Sequence, residues 1–195
     1  MDSIAGDSFE QQTTALYAAL GRFAVEFEHV CFTMRCIIMS ILDEQGLRNA
    51  KVLNILLAEQ TAEPLRSLTS SLLAETQQFS EKDEKIMGSL LSKVQVLTQE
   101  RNDVLHSTWF IGWYGTENGD FCHAPSIKPK RSKKGDVSLD RTWKIEQFDS
   151  LTARAKALSD NLRSVNACLS HGYKLHNNFR LSHDGSVVGL GQPYK

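Results

Sequence analysis

A chain of 195 residues with 41% hydrophobic and 23% charged side chains has the make-up of a folded globular protein. At this length one core can bury roughly 70% of the unfolded surface, so a second domain is unnecessary. A formal net charge of −1, from 22 basic and 23 acidic residues, excludes a surface that generally coats nucleic acid or membranes; any grip on phosphate must be local.

Residues 1–12 read as an N-terminal extension. Asp2 and Asp7 make the start acidic, unlike a secretory leader, and apolar runs along the chain are interrupted by charge before the ~18–20 residues needed to cross a bilayer. The expectation is a cytoplasmic protein with no membrane partner. From about Thr13 to Leu42, the residues Leu16, Leu20, Phe23, Phe27, Val30, Met34, Ile37 and Ile41 recur every three or four positions, which predicts a long helix with one core-facing stripe. After a break at Asp43 to Gly46, Val52, Ile55 and Leu56, then Leu65, Leu68, Leu72 and Leu73, continue the helical pattern. Pro64 is expected to divide that stretch into two shorter helices, since a proline inside a helix loses a hydrogen bond and clashes with the preceding turn.

Ser80 followed by Asp83 and Glu84 is a capping-box helix start, and Ile86, Met87, Leu90, Val94, Leu97, Val104 and Leu105 form the stripe behind it. Beyond Ser107, two strands are predicted around Asn118-Gly119, then a basic loop from Lys128 to Lys134, then a short third strand from Asp136 to Ile145. Leu151, Ala155, Leu158, Leu162, Val165, Leu169 and Tyr173 predict a closing helix with Asp149 as its N-cap. The sequence thus reads as one domain over 13–176, mainly α, with a small antiparallel β insertion at about 107–145 between the fourth helical stretch and the closing helix. The tail 177–195 has no clear period and is expected to be loose. Cys31, Cys36, Cys122 and Cys168 show neither C-x-x-C nor zinc spacing, so they read as thiols of a reducing compartment, without disulfides, metal or cofactor.

Extending the stripe Leu90, Val94, Leu97 by one helical step reaches Arg101, a permanent cation where an apolar side chain is expected. Such a guanidinium needs a carboxylate or an anionic ligand. Asn102 and Asp103 follow, and His106 stands five residues on, about 7.5 Å along the helix and roughly 140° around it. The two side chains therefore do not stack on one face, and they converge only if the helix ends near His106 or if two copies of the motif meet.

Arg101, Asn102 and His106, at the end of a capped helix that leads into a small sheet, resemble the diagnostic motif of the HEPN superfamily (higher eukaryotes and prokaryotes nucleotide-binding domain). Glu28 on the long first helix resembles the acid several of its families carry. The resemblance implies a helical bundle, a homodimer that shares one cleft, and metal-independent RNA cleavage by a toxin or antiviral effector restrained by an antitoxin or sensor. In one branch a tyrosine two residues after the histidine accepts a nucleotide. Thr108 stands there instead, so the resemblance does not extend to that form of control.

The residue chemistry fits that activity. A histidine titrates near neutrality and can take a proton from a 2′-hydroxyl or give one to a leaving 5′-oxygen. An arginine fork can counter the charge that builds on phosphorus, and Asn102 can orient the phosphate or the imidazole. Glu28 is the expected carboxylate for Arg101. Lys128, Lys130, Arg131, Lys133 and Lys134 place five cations in seven residues, a candidate RNA-guiding loop. Each feature also has a plainer meaning. His106 can be a group favoured by the negative end of a helix dipole, the Arg101–Glu28 pair can be structural, the basic run can be a solvated loop, and Trp109, Trp113 and Trp143 can be packing residues. The competing function is a non-catalytic module that binds nucleotide, RNA or a protein partner.

Overall fold

The computed structural model describes residues 8–113, 121–132, 135–182 and 185–190, with the backbone alone at 130–132 and 136. The chain is mainly α-helical, with a small antiparallel sheet inserted before its last long helix. Helix α1 spans Phe9–Glu44. It starts four residues before the predicted position because Ser8 and Gln11 cap it reciprocally: the Ser8 N–H donates to Gln11 Oε1 at 2.8 Å and the Gln11 N–H to Ser8 Oγ at 3.3 Å. Seven of the eight predicted stripe residues, all but the half-buried Leu20, are buried.

Two short helices follow, α2 at Ala50–Leu57 and α3 at Ala62–Thr76. The Asn49 side chain caps α2 by accepting from the Lys51 and Val52 N–H groups at 3.1 and 3.2 Å. The division into two helices is as predicted, but Pro64 is not the divider. It lies in the first turn of α3, where a missing N–H forfeits no intrahelical bond, and the break falls at residues 58–61, with Glu59 at a φ of +61°. The buried face of α2 is also corrected: Leu53 and Leu57 are buried, whereas Val52, Ile55 and Leu56 are exposed.

Helix α4, Glu81–Leu105, opens on the predicted cap, Ser80 Oγ donating to Asp83 Oδ2 at 2.7 Å and accepting from the Asp83 N–H at 3.3 Å. Strands β1 (Thr108–Trp109), β2 (His123–Ser132) and β3 (Gly135–Lys144) form the antiparallel sheet in that order. Most of the predicted basic loop is therefore strand, whereas β3 agrees with the predicted third strand to within one residue. The Asn118-Gly119 turn lies outside the described residues. Helix α5 spans Ile145–Ser170. Its start is held by Gln147 Oε1, which accepts the Lys144 N–H at 2.9 Å, and Asp149, the predicted cap, instead meets Arg22 at 3.1 Å. The tail is more ordered than expected: α6 (Leu175–Asn178), β4 (Phe179–Leu181) and β5 (Val187–Gly189) form a helical turn and a hairpin.

The chain divides into two compact units, one of Met1–Glu26 and Glu100–Arg154, the other of Phe27–Gln99 and Ala155–Lys195. The first packs Leu16, Ala19, Phe23, Val104, Ala124 and Phe148 with an aromatic cluster in which Trp143 stacks on Phe148 at 5.3 Å and Trp109 meets both rings. The second buries the apolar faces of α1, α4 and α5, among them Val30, Met34, Ile38, Leu90, Val94 and Leu162. Within it the Thr33 and Ser159 hydroxyls pair at 3.3 Å, which satisfies both groups away from water. Among the described residues no helix is long and apolar enough to cross a membrane.

Candidate functional site

The motif occupies the last turn of α4 and the residue beyond it. A helix end leaves its final carbonyls without intrahelical donors, and here the following segment supplies them. The Lys128 ammonium donates to the Asn102 carbonyl at 2.8 Å, the Ser107 hydroxyl to that of Asp103 at 2.5 Å, and the Trp109 indole N–H to that of Val104 at 2.9 Å. The Asn102, Asp103 and Val104 carbonyls are thus served without the His106 side chain. Its imidazole is exposed one residue past the helix and makes no side-chain hydrogen bond among the described residues.

Arg101 and Asn102 are half-buried, and Arg101 Nη1 donates to Asn102 Oδ1 at 3.2 Å. Asn102 thus touches the guanidinium, a contact different from the phosphate and imidazole roles expected of it. Glu28 occupies an exposed position of α1.

Asp103 is the group that the sequence reading underused. It faces the negative end of the α4 dipole, an unfavourable place for a carboxylate, and two cations compensate it. Lys128 Nζ lies 2.7 Å from Oδ1 and Arg141 Nη2 lies 3.2 Å from Oδ2. Strand alternation explains how both arrive. Residues 124, 126 and 128 share one face of β2, and their partners Trp143, Arg141 and Leu139 share the same face of β3. Ala124 and Ser126 are buried on that face, so Lys128 is carried inward with them to a side-chain exposure of only 17%. Period-two reading of 124–128 was the available signal, masked by treating the basic run as a loop.

Lys128, a candidate RNA contact, is thus already engaged within the chain by Asp103. Of the other members of the run, Lys130 and Arg131 are described by backbone alone, and Lys133 and Lys134 lie outside the described residues. Arg141 also lines an open cleft of about 400 Å³ with Trp143, Gln147 and Arg154, in which Arg154 forks onto Glu100 at 2.9 and 2.7 Å. Trp113 is exposed, with its ring 5.5 Å from that of Phe110.

Among the described residues, no three His, Cys, Asp or Glu side chains cluster in a way that holds a metal ion. The four cysteines are free, and burial pushes the Cys36 and Cys168 thiols up from their ordinary value. No family model, no curated protein and no solved structure matches this chain.

Proposed function

We propose that the protein is a metal-independent endoribonuclease of the HEPN type, acting in the cytoplasm as a toxin or antiviral effector and restrained by an antitoxin or sensor protein. The observation that carries this reading is the exposed His106 imidazole at a helix end whose Asn102, Asp103 and Val104 carbonyls are served by other groups, five residues from a half-buried Arg101 that is held by Asn102. An imidazole so placed is available for proton transfer, and the guanidinium is the cation to counter the charge on the phosphate that accepts the attack. The base takes the proton of the 2′-hydroxyl, the oxygen attacks phosphorus, and the acid protonates the departing 5′-oxygen. Two-fold pairing of chains supplies a second His106 and a second Arg101, which divides the base and acid roles between copies.

Purified protein is expected to cut RNA in EDTA, to leave 2′,3′-cyclic phosphate and 5′-hydroxyl ends, and to spare a substrate with 2′-deoxyribose at the scissile position. His106→Ala should slow the reaction by roughly 10²- to 10⁴-fold, the range of a general acid-base group, with an unchanged melt. Cleavage that needs Mg²⁺ and yields 5′-phosphates, or a variant as fast as the parent, overturns the mechanism.

The second reading, a module that binds nucleotide, RNA or a protein partner without cleavage, is favoured by the Asp103 ion pairs. They leave Lys128 and Arg141 already compensated beside the motif. No cleavage of total tRNA or mRNA by protein freed of any partner decides for it.

A further inference from the structure

The second unit holds a cleft of about 380 Å³ at the start of α4, walled by α6 and the β4–β5 hairpin, and the motif reading makes no use of it. We infer that this cleft is a binding site for a small phosphate-bearing molecule with an apolar flank.

Its polar lining is basic: Lys82 and Lys85 from the first two turns of α4, His176 from α6 and Arg180 from β4. Glu81 neutralises one of these, Lys85, at 2.6 Å. Asp83 balances His176, so Lys82 and Arg180 remain, a surplus that suits a dianionic phosphate better than a single carboxylate, since an arginine fork and an ammonium can share three phosphate oxygens. Phe179, Ile86 and Leu190 supply apolar wall, so a bare ion leaves the rest of the space unfilled. The volume falls in the range of small-molecule sites, which run from about 300 to 1,000 Å³.

The histidine is positioned in advance. Asp83, only 4% exposed, accepts the His176 backbone N–H at 2.8 Å and faces its Nδ1 at 2.9 Å through the same oxygen, while Ser80 Oγ donates to its other oxygen at 2.7 Å. With an ionised carboxylate against Nδ1, that nitrogen carries a proton, and Nε2 is the ring atom left for a ligand. The hairpin wall is tied down separately, by Ser89 Oγ donating to the Gly185 carbonyl at 2.6 Å and the Leu190 N–H donating to that of Asn178 at 2.9 Å. A fixed imidazole, two cations and an apolar wall around one opening are the ingredients of a preformed site.

Titration calorimetry on the full chain with phenyl phosphate, inorganic phosphate and phenol tests this. Phenyl phosphate should bind saturably and more tightly than inorganic phosphate, and phenol should give no saturable heat. Lys82→Gln and Arg180→Gln should each weaken phenyl phosphate by about tenfold, the loss of one charge-assisted contact, while melting as the parent does. Lys156→Gln, which removes the same charge outside the cleft, should leave binding unchanged. No saturation by either phosphate up to about 10 mM overturns the inference. Equal weakening by Lys156→Gln overturns it too, because the effect is then one of overall charge.

Discussion

Two carboxylates sit at opposite ends of α4, and the helix dipole treats them oppositely. Asp83, in the first turn, gains from the positive end, whereas Asp103, in the last, is opposed by the negative end and relies on Lys128 and Arg141. Asp103→Asn therefore loses two ion pairs but also relieves the clash with the dipole, and should cost less than about 1 kcal/mol, given that the pairs are partly solvated. Lys128→Met strips the Asn102 carbonyl of a donor, leaves Asp103 less compensated, and should cost about 1–2 kcal/mol. Urea denaturation of the two variants checks the order, and a larger loss for Asp103→Asn contradicts the account. At Asp83, burial pushes the carboxyl pKa up, but the hydrogen bonds from Ser80 and from the His176 N–H and ring, with the attraction of the imidazole, outweigh it and bring the value below the ordinary one. A depressed folded-state value means that the folded chain binds fewer protons there. This stabilisation is complete above the unfolded value of about 3.9 and is lost as pH falls through the lower folded value. Asp83→Ala should remove about 2–4 kcal/mol at neutral pH and flatten the acid arm of the stability curve. An acid arm as steep as the parent's contradicts this.

Among the elements, Gly112 turns the chain three residues beyond β1, at a φ of +77°. A Cβ there would lie 3.1 Å from both the Phe9 ring and the Thr13 methyl. Gly112→Ala meets both an unfavourable dihedral and two close neighbours, and should cost about 1–3 kcal/mol in thermal or urea melts. A variant as stable as the parent would show that this turn relaxes freely. The long helices were legible in the sequence because their stripes are long enough for the 3.6-residue period to dominate, and the Ser80 cap because Ser and Asp three apart have one local use. Short elements were not. In eight-residue α2 the apolar residues Val52, Leu53, Ile55, Leu56 and Leu57 surround the helix, so period alone cannot choose the buried pair, and the wrong face was read. The Lys128 strand was hidden by its charge and prolines, although its alternation with Ala124 and Ser126 was present. The α6–β4–β5 tail escaped notice because Asp83 and Ser89, on a helix some ninety residues earlier, hold it. Arg101, Asn102 and His106 were visible as a motif, but the capping that frees His106 depends on Lys128 and Trp109, which only the fold brings to the helix end.

For the molecule as a whole, the proposed chemistry makes the oligomeric state part of the mechanism. Arg101 lies in the last turn of α4 and His106 one residue past its end, so a single chain offers a phosphate only one cation and one imidazole. Two chains related by a two-fold axis offer two of each, and the same patch serves both partners. On α1, Tyr17 and Val25 are 59% and 57% exposed, large apolar groups that such an interface can cover. The nearly neutral net charge of −1 puts little long-range repulsion in the way of self-association. Light scattering at micromolar concentration should therefore give twice the chain mass, and Tyr17→Glu with Val25→Glu should shift it to the single chain and abolish cleavage. A mixing experiment is more demanding. A heterodimer of the parent with His106→Ala keeps one imidazole of two, so it lacks either the base or the acid. Mixed and re-equilibrated with an excess of His106→Ala, the parent should therefore lose most of its activity per parent chain. Fully active single chains, or parent activity per chain unchanged by the excess variant, would rule out a cleft shared between copies.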